Sequence, residues 1–232
     1  MRQLIIFFFI CIYSLTYAQK NDSAYYLDFK IKAEHLSEGG FELLNKRLIQ
    51  EFILTGKNNN KYLIEIINDS NSVLSQYMNG IWKSIDTINH IFFITDSNEL
   101  LVPSFYIADF NNDGNQDLLC WTMTNVNGNQ WTEIYLNNTL TLIKLVNTAD
   151  GIWAFPEYHN DKKIITCEEV SGCFGVSSES SFRLKDFKAT PIRKVELDNT
   201  HMIQKKGKYV NQITRTYIGK NGKWKLVSIK KK

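Results

Sequence analysis

Asp109-Phe110-Asn111-Asn112-Asp113-Gly114-Asn115-Gln116-Asp117 concentrates the chemistry of this chain in nine residues. Oxygen-bearing side chains stand at positions 1, 3, 5 and 9 of the run, and glycine stands at position 6. A hard cation such as calcium takes six to eight oxygen ligands at about 2.3–2.6 Å, and alternate side chains of a curled loop can converge on one centre. Gly114 permits the sharp reversal, and the backbone carbonyl of Asn115 supplies a further oxygen. Three carboxylates packed this closely repel one another unless a cation lies between them, so bound calcium accounts for the composition. The expected ligand set is Asp109, Asn111, Asp113, Asn115 and Asp117. Position 12 is Cys120, not the bidentate glutamate of a helix–loop–helix hand. Phe105-Tyr106-Ile107 before the loop and Leu118-Leu119 after it both read as strand, so Asp117 gives the last carboxylate of a strand–loop–strand site.

Other chemistry is sparse. His35, His90, His159 and His201 stand alone, without metal-ligand spacing. The chain has no Gly-x-Ser-x-Gly elbow and no phosphate-binding glycine loop. Glu168 and Glu169 are adjacent, and on a strand adjacent side chains point to opposite faces, so they do not form a pair of glycosidase carboxylates. The expectation is a protein that is not an enzyme.

The N-terminus bears on the cysteines. Met1-Arg2-Gln3, an apolar run from Leu4 to Tyr13 and the segment Ser14 to Ala18 follow the order of a secretory signal peptide. The run falls short of the roughly 20 residues of a membrane-spanning helix. Residues 1–18 are therefore read as signal and 19–232 as one exported β-rich domain, periplasmic or extracellular, with no transmembrane span in the mature chain. In an oxidising compartment Cys167 and Cys173 are candidates for a disulfide. They sit opposite each other if residues 168–172 form the hairpin loop. They fall on opposite faces if the turn is Ser171-Gly172 alone. A bridge requires the longer loop.

The elements that position these residues are short strands. Tyr62, Ile64 and Ile66 alternate with Lys61 and Glu65, and Phe182 and Leu184 alternate with Ser181, Arg183 and Lys185. Ile164-Ile165 and Ile91 to Ile94 read as more fully buried strands. Turn-formers separate them at the 8–15-residue spacing of an all-β fold. Asn79-Gly80, Asn127-Gly128, Asp150-Gly151 and Asn221-Gly222 are each followed by a tryptophan, which suggests tight hairpins with a ring folded over each. Glu42 to Phe52 fits either a helix or a strand paired with Lys61 to Ile67. A C-terminal hairpin is expected at about 208–230, its lysines forming a solvated strand edge. The sum is an all-β domain of antiparallel hairpins, propeller-like or a sandwich. At 27 basic and 24 acidic residues the net charge of +3 is too even for an extended nucleic-acid footprint.

The segment Asp109 to Leu119 resembles the integrin-like calcium loop of FG-GAP repeats, Asp-x-Asx-x-Asp-Gly-x-x-Asp followed by apolar residues. It occurs once here. The order of calcium loop, tyrosine-bearing strand (Thr132 to Leu136), apolar segment (Leu140 to Leu145) and Gly/Ser-rich hairpin (Ile164 to Leu184) is similar to that of exported bacterial proteins containing the calcium-loop immunity protein against a lysozyme-like type IV secretion effector and the periplasmic lysozyme inhibitors. The resemblance implies structural calcium and a cell-wall hydrolase as protein partner, with a loop entering the enzyme's cleft. Glu168 to Ser178 is the nearest candidate loop. The alternative is a carbohydrate- or surface-binding module of the cell envelope, with exposed Trp or Tyr as stacking platforms.

Overall fold

Alternation of side chains across strands decides most of the architecture. The protein is represented by a computed structural model that describes residues 25–27, 48–67, 70–90, 93–94, 100–101, 104–124, 128–171, 175–205 and 208–232. Residues 1–18, read as signal, lie outside that set. Among the described residues every regular element is a β-strand and every strand pairing is antiparallel. The strands in chain order are β1 (Tyr25–Tyr26), β2 (Leu48–Leu54), β3 (Asn60–Ile66), β4 (Asn71–Met78), β5 (Ile81–Asn89), β6 (Phe93–Ile94), β7 (Leu100–Leu101), β8 (Ser104–Ala108), β9 (Asp117–Thr124) and β10 (Gln130–Asn137). They continue as β11 (Leu142–Lys144), β12 (Trp153–Ala154), β13 (Glu157–His159), β14 (Ile164–Ser171), β15 (Val176–Lys185), β16 (Lys188–Asp198), β17 (Ile203–Lys205), β18 (Lys208–Val210), β19 (Ile213–Lys220) and β20 (Lys223–Lys231).

Apart from β1, which joins the middle sheet, three main sheets follow one another along the chain. The first is β2-β3-β4-β5. The middle sheet is β1-β8-β9-β10-β11, with β12 also on β10. The third is β13-β14-β15-β16-β19-β20. Strands β6 with β7 and β17 with β18 form two small ribbons. The stretch that suited helix or strand is strand where described: Leu48 pairs with Ile66 and Phe52 with Tyr62.

The middle sheet is covered on both faces. Tyr62, Ile64, Ile66 and Leu74 of the first sheet pack with Phe105, Ile107, Leu118, Cys120 and Tyr135. On the opposite face Leu119, Ile134 and Leu136 pack with Ile165, Cys167 and Phe182 of the third sheet. This is why Asp117-Leu118-Leu119-Cys120 is buried without interruption: a strand sandwiched between two layers has no polar face.

The Asn-Gly turns at Asn79-Gly80 (φ 51° and 85°) and Asn221-Gly222 (φ 51° and 73°) close the β4–β5 and β19–β20 hairpins. Both central residues take the positive φ that such turns require. Asp150-Gly151 instead lies in the connection between β11 and β12, and Asn127 lies outside the described residues. Trp82 folds over its own hairpin as expected, on its register partner Tyr77, whereas Trp224 packs away from its hairpin, on Phe182 of β15 in the core between sheets. Trp82 meets Tyr77 at 5.2 Å and Trp224 meets Phe182 at 5.4 Å between centroids.

One expectation is overturned. Cys167 is a free, buried thiol and forms no disulfide with Cys173. The hairpin holding them is neither of the two loops weighed above. Strand β14 runs on through Glu168, Glu169 and Val170 to Ser171, which pairs with Val176, and Cys167 faces Ser180 across the ladder. Four more strand residues carry the chain roughly 13 Å beyond Cys167 before it turns. A disulfide needs Cα atoms within about 7 Å. Cys173 itself lies outside the described residues.

Candidate metal centre

Eight residues, 109–116, connect β8 to β9, whose ends pair as Ala108 with Asp117. Asn112 (φ 54°) and Gly114 (φ 86°) supply the left-handed backbone that curls the loop. The curl brings side-chain oxygens back onto the loop's own N–H groups. Asp109 accepts from the Asp113 N–H through Oδ1 (3.0 Å) and from the Gly114 N–H through Oδ2 (2.9 Å). Asn111 Oδ1 accepts from the Asp113 N–H at 3.2 Å, and its Nδ2 donates to Asp113 Oδ2 at 2.9 Å. Asp113 Oδ1 accepts from the backbone N–H (2.9 Å) and from Nδ2 (2.8 Å) of Asn115. Asp109 and Asn111 are half-buried, Asp113 is exposed, and Asn115 and Asp117 are buried.

Asp117 lies at the base of the loop. Its Oδ2 accepts from the Phe110 N–H (2.9 Å) and its Oδ1 from the Asn137 N–H (2.8 Å), so one carboxylate joins the loop to the end of β10. Burial pushes its pKa well above the usual carboxylate range; the Asn137 and Phe110 N–H groups oppose that push, and the charges of Asp113 and Asp109 add to it. The loop thus collects negative charge over a buried acid, using only oxygen donors. That donor chemistry fits a hard cation. The structure joins Asp109, Asn111, Asp113 and Asn115 through hydrogen bonds, while both Asp117 oxygens engage backbone N–H groups. Among the described residues, no three His, Cys, Asp or Glu side chains are gathered as a metal-holding group.

Two loop residues have a role that the spacing did not reveal. The side-chain Oδ1 of Asn115 accepts from the Lys57 N–H at 3.0 Å. Gln116 pairs with Thr55 twice: its N–H donates to the Thr55 carbonyl (2.8 Å), and its Oε1 accepts from the Thr55 N–H (2.9 Å). Gly56 lies so close that a Cβ there would fall 2.5 Å from Asn115 Oδ1. Asn137 completes the anchoring by donating Nδ2 to the Gln116 carbonyl at 3.1 Å. The loop therefore clamps the β2–β3 turn of the first sheet onto the middle sheet. No local sequence signal marks these roles, because the partners Thr55 and Lys57 stand about sixty residues earlier.

A second polar cluster joins the same two sheets. The Tyr135 hydroxyl lies 2.6 Å from Asp86 Oδ2 and 2.8 Å from Glu133 Oε2. Lys144 pairs with Glu133 at 2.8 Å and with Asp86 at 3.6 Å. Burial drives the Tyr135 pKa far upward, so its hydroxyl remains a neutral donor. The candidate loop Glu168 to Ser178 is mostly strand, β14 to Ser171 and β15 from Val176. Asn129 holds its base, donating Nδ2 to the Val170 carbonyl (2.6 Å) and accepting from the Val170 N–H (2.8 Å).

No protein-family model matches the chain, and no curated protein matches it. Among solved structures the chain is similar to one described as the structure of a Xanthomonas type IV secretion system related protein. That likeness has 16% identity and a TM-score of 0.46, covering 80% of this chain and 95% of the other. At those values it defines neither a common topology nor a common activity.

Proposed function

We propose that this chain is an exported, non-enzymatic calcium-binding protein whose three sheets are propeller-like blades joined at the 109–117 loop. The observation that carries this reading is the buried Asp117 carboxylate beneath Asp109 and Asp113, in a loop that ties the end of β10 to the β2–β3 turn. Asp109, Asn111, Asp113, the Asn115 carbonyl and Asp117 hold the ion. Calcium supplies charge neutralisation and a cross-link at a junction between sheets. By the resemblance of its sequence, the protein is an inhibitor or immunity protein whose partner is a lysozyme-like cell-wall hydrolase.

Calcium titrated into EDTA-treated protein should release or absorb heat. It should also raise the melting temperature, adding about 2.7 kcal/mol of stability at one hundred times Kd. Neither heat nor a melting shift would remove the metal from this account. Inhibition of lysozyme-like activity on wall fragments, lost in EDTA, tests the partner. A second reading, a carbohydrate-binding module, draws on Tyr77, 46% exposed, which makes an edge contact with Trp82 on the first sheet. Lys61 lies 5.8 and 5.3 Å from the two ring centroids and is ion-paired with Glu51, which leaves little open ring face. Retention on peptidoglycan that Tyr77→Ala abolishes would favour this second reading.

A further inference from the structure

The small net charge of +3 conceals a strong separation along the chain. Residues 1–174 contain 12 basic and 20 acidic side chains, a net of −8. Residues 175–232, which begin at β15 and end just past β20, contain 15 basic and 4 acidic, a net of +11. The six strands of the third sheet themselves hold 11 basic and 6 acidic side chains, a net of +5.

The strand registers place much of that charge on one face. Phe182 is buried against the middle sheet, so Arg183 and its partner Thr190 point outward, as do Lys185 and its partner Lys188. Trp224 packs inward on Phe182 and lies opposite Gly219, so the flanking pair Lys220 and Lys223 points outward. Arg193, Ile218 and Lys225 are register partners in another outward row. All seven of these basic side chains are exposed, and among the described residues none is in an ion pair. The two basic side chains of this sheet that are paired point to the other face: Lys194 with Asp150, and Arg215 with Glu196 and Asp198. The acidic residues on this face are Glu157 of β13, Glu168 of β14, Glu179 of β15 and, in the β15–β16 turn, Asp186, so the seven basic side chains outnumber them.

We propose that this outer face of the third sheet docks on an anionic phospholipid surface, independently of the metal reading. Charge complementarity selects the class of partner, and shape selects among anions. The basic rows span four strands of this six-stranded sheet, two residues apart, and among the described residues the face has no projecting helix to enter a nucleic-acid groove. Its outward rows hold no aromatic ring on which single-stranded bases would stack. A planar layer of headgroup phosphates meets every row at once, and basic residues near such a layer act within a Debye length.

The intact protein is sedimented with vesicles of phosphatidylcholine and phosphatidylglycerol at 2:1, and with phosphatidylcholine alone. Binding is expected only to the anionic vesicles at 50 mM salt, and it should be largely lost at 500 mM. The variant Lys185→Glu/Lys188→Glu/Lys220→Glu/Lys223→Glu should partition at least about 100-fold less, at about fivefold per basic residue. The control Lys57→Glu/Lys83→Glu, on the first sheet, should stay within about twofold. Because the salt series uses unaltered protein, the test stands even if the quadruple variant unfolds. Equal binding to both vesicle types, no binding to either, or unchanged binding by a folded quadruple variant would overturn the proposal. Tighter capture by duplex DNA or polyglutamate than by anionic vesicles would also overturn it.

Discussion

Replacing Gly56 with alanine puts the clamp between the acidic loop and the first sheet to a quantitative test. The added methyl would sit 2.5 Å from Asn115 Oδ1 and 3.1 Å from both Cα and Cβ of Asn115. Asn115 has nowhere to retreat. It is 5% exposed, and both its backbone N–H and its Nδ2 are held by Asp113 Oδ1. The contact between Lys57 N–H and Asn115 Oδ1 must then lengthen, and the adjacent Thr55–Gln116 pair is strained with it. One hydrogen bond lost costs about 1 kcal/mol and local overpacking about 1–3 kcal/mol, offset by about 0.4–1 kcal/mol from a less flexible unfolded chain. The net expectation is a loss of about 2–3 kcal/mol, read from urea unfolding midpoints at constant m-value. Gly80→Ala is the control. Gly80 has φ +85° but nothing within 4 Å of the new methyl, so only backbone strain of about 1–2 kcal/mol applies. In an Asn115→Ala background, Gly56→Ala should cost about half as much, giving a coupling of at least about 1 kcal/mol. Additivity to within about 0.5 kcal/mol would refute the steric argument.

Other expectations bear on the same framework. Asp117→Asn should abolish the difference in melting temperature between calcium and EDTA, whereas Asp86→Asn should preserve it; a surviving difference in the Asp117 variant would take that residue out of the ligand set. Burial raises the pKa of both Tyr62 and Tyr106 to about 12, above the ordinary tyrosine value of about 10. Their stabilisation is therefore complete below about pH 10 and lost as pH rises toward 12. The fully buried Tyr62 should lose about 1.4 kcal/mol for each pH unit climbed between those two values. A urea midpoint that stays flat from pH 8 to 11.5 would contradict it. Asn129→Ala removes both bonds to Val170 and should cost about 2 kcal/mol while speeding hydrogen exchange at the Val170 amide. Unchanged exchange there would mean the clamp is dispensable.

Much of the strand content was legible because it follows from local alternation. Tyr62, Ile64 and Ile66 show a single buried face, and they are fully buried. Leu118-Leu119 read correctly as strand, but periodicity does not say which layers cover its two faces. Helix and strand were indistinguishable for Leu48 to Phe52, because Leu48 and Phe52 suit either period; pairing with β3 decides it. The acidic loop was recognisable because its residue types crowd into nine positions. The roles of Asn115 and Gln116 were not, since their partners at Thr55 and Lys57 lie about sixty residues away. The disulfide failed for a similar reason. Cysteine spacing is local, whereas the register that separates Cys167 from the turn is fixed along the whole β14–β15 ladder.

The doubly covered middle sheet constrains how the chain can mature. Until β13 to β20 have been made, Leu119, Ile134 and Leu136 form an uncovered oily plane on an otherwise finished two-layer intermediate. Such a plane adheres to its like, so two nascent chains meeting at this stage would pair through it. The last seventy-five or so residues act as a lid that arrives late, and a chain broken off before them would aggregate instead of persisting as a smaller soluble protein.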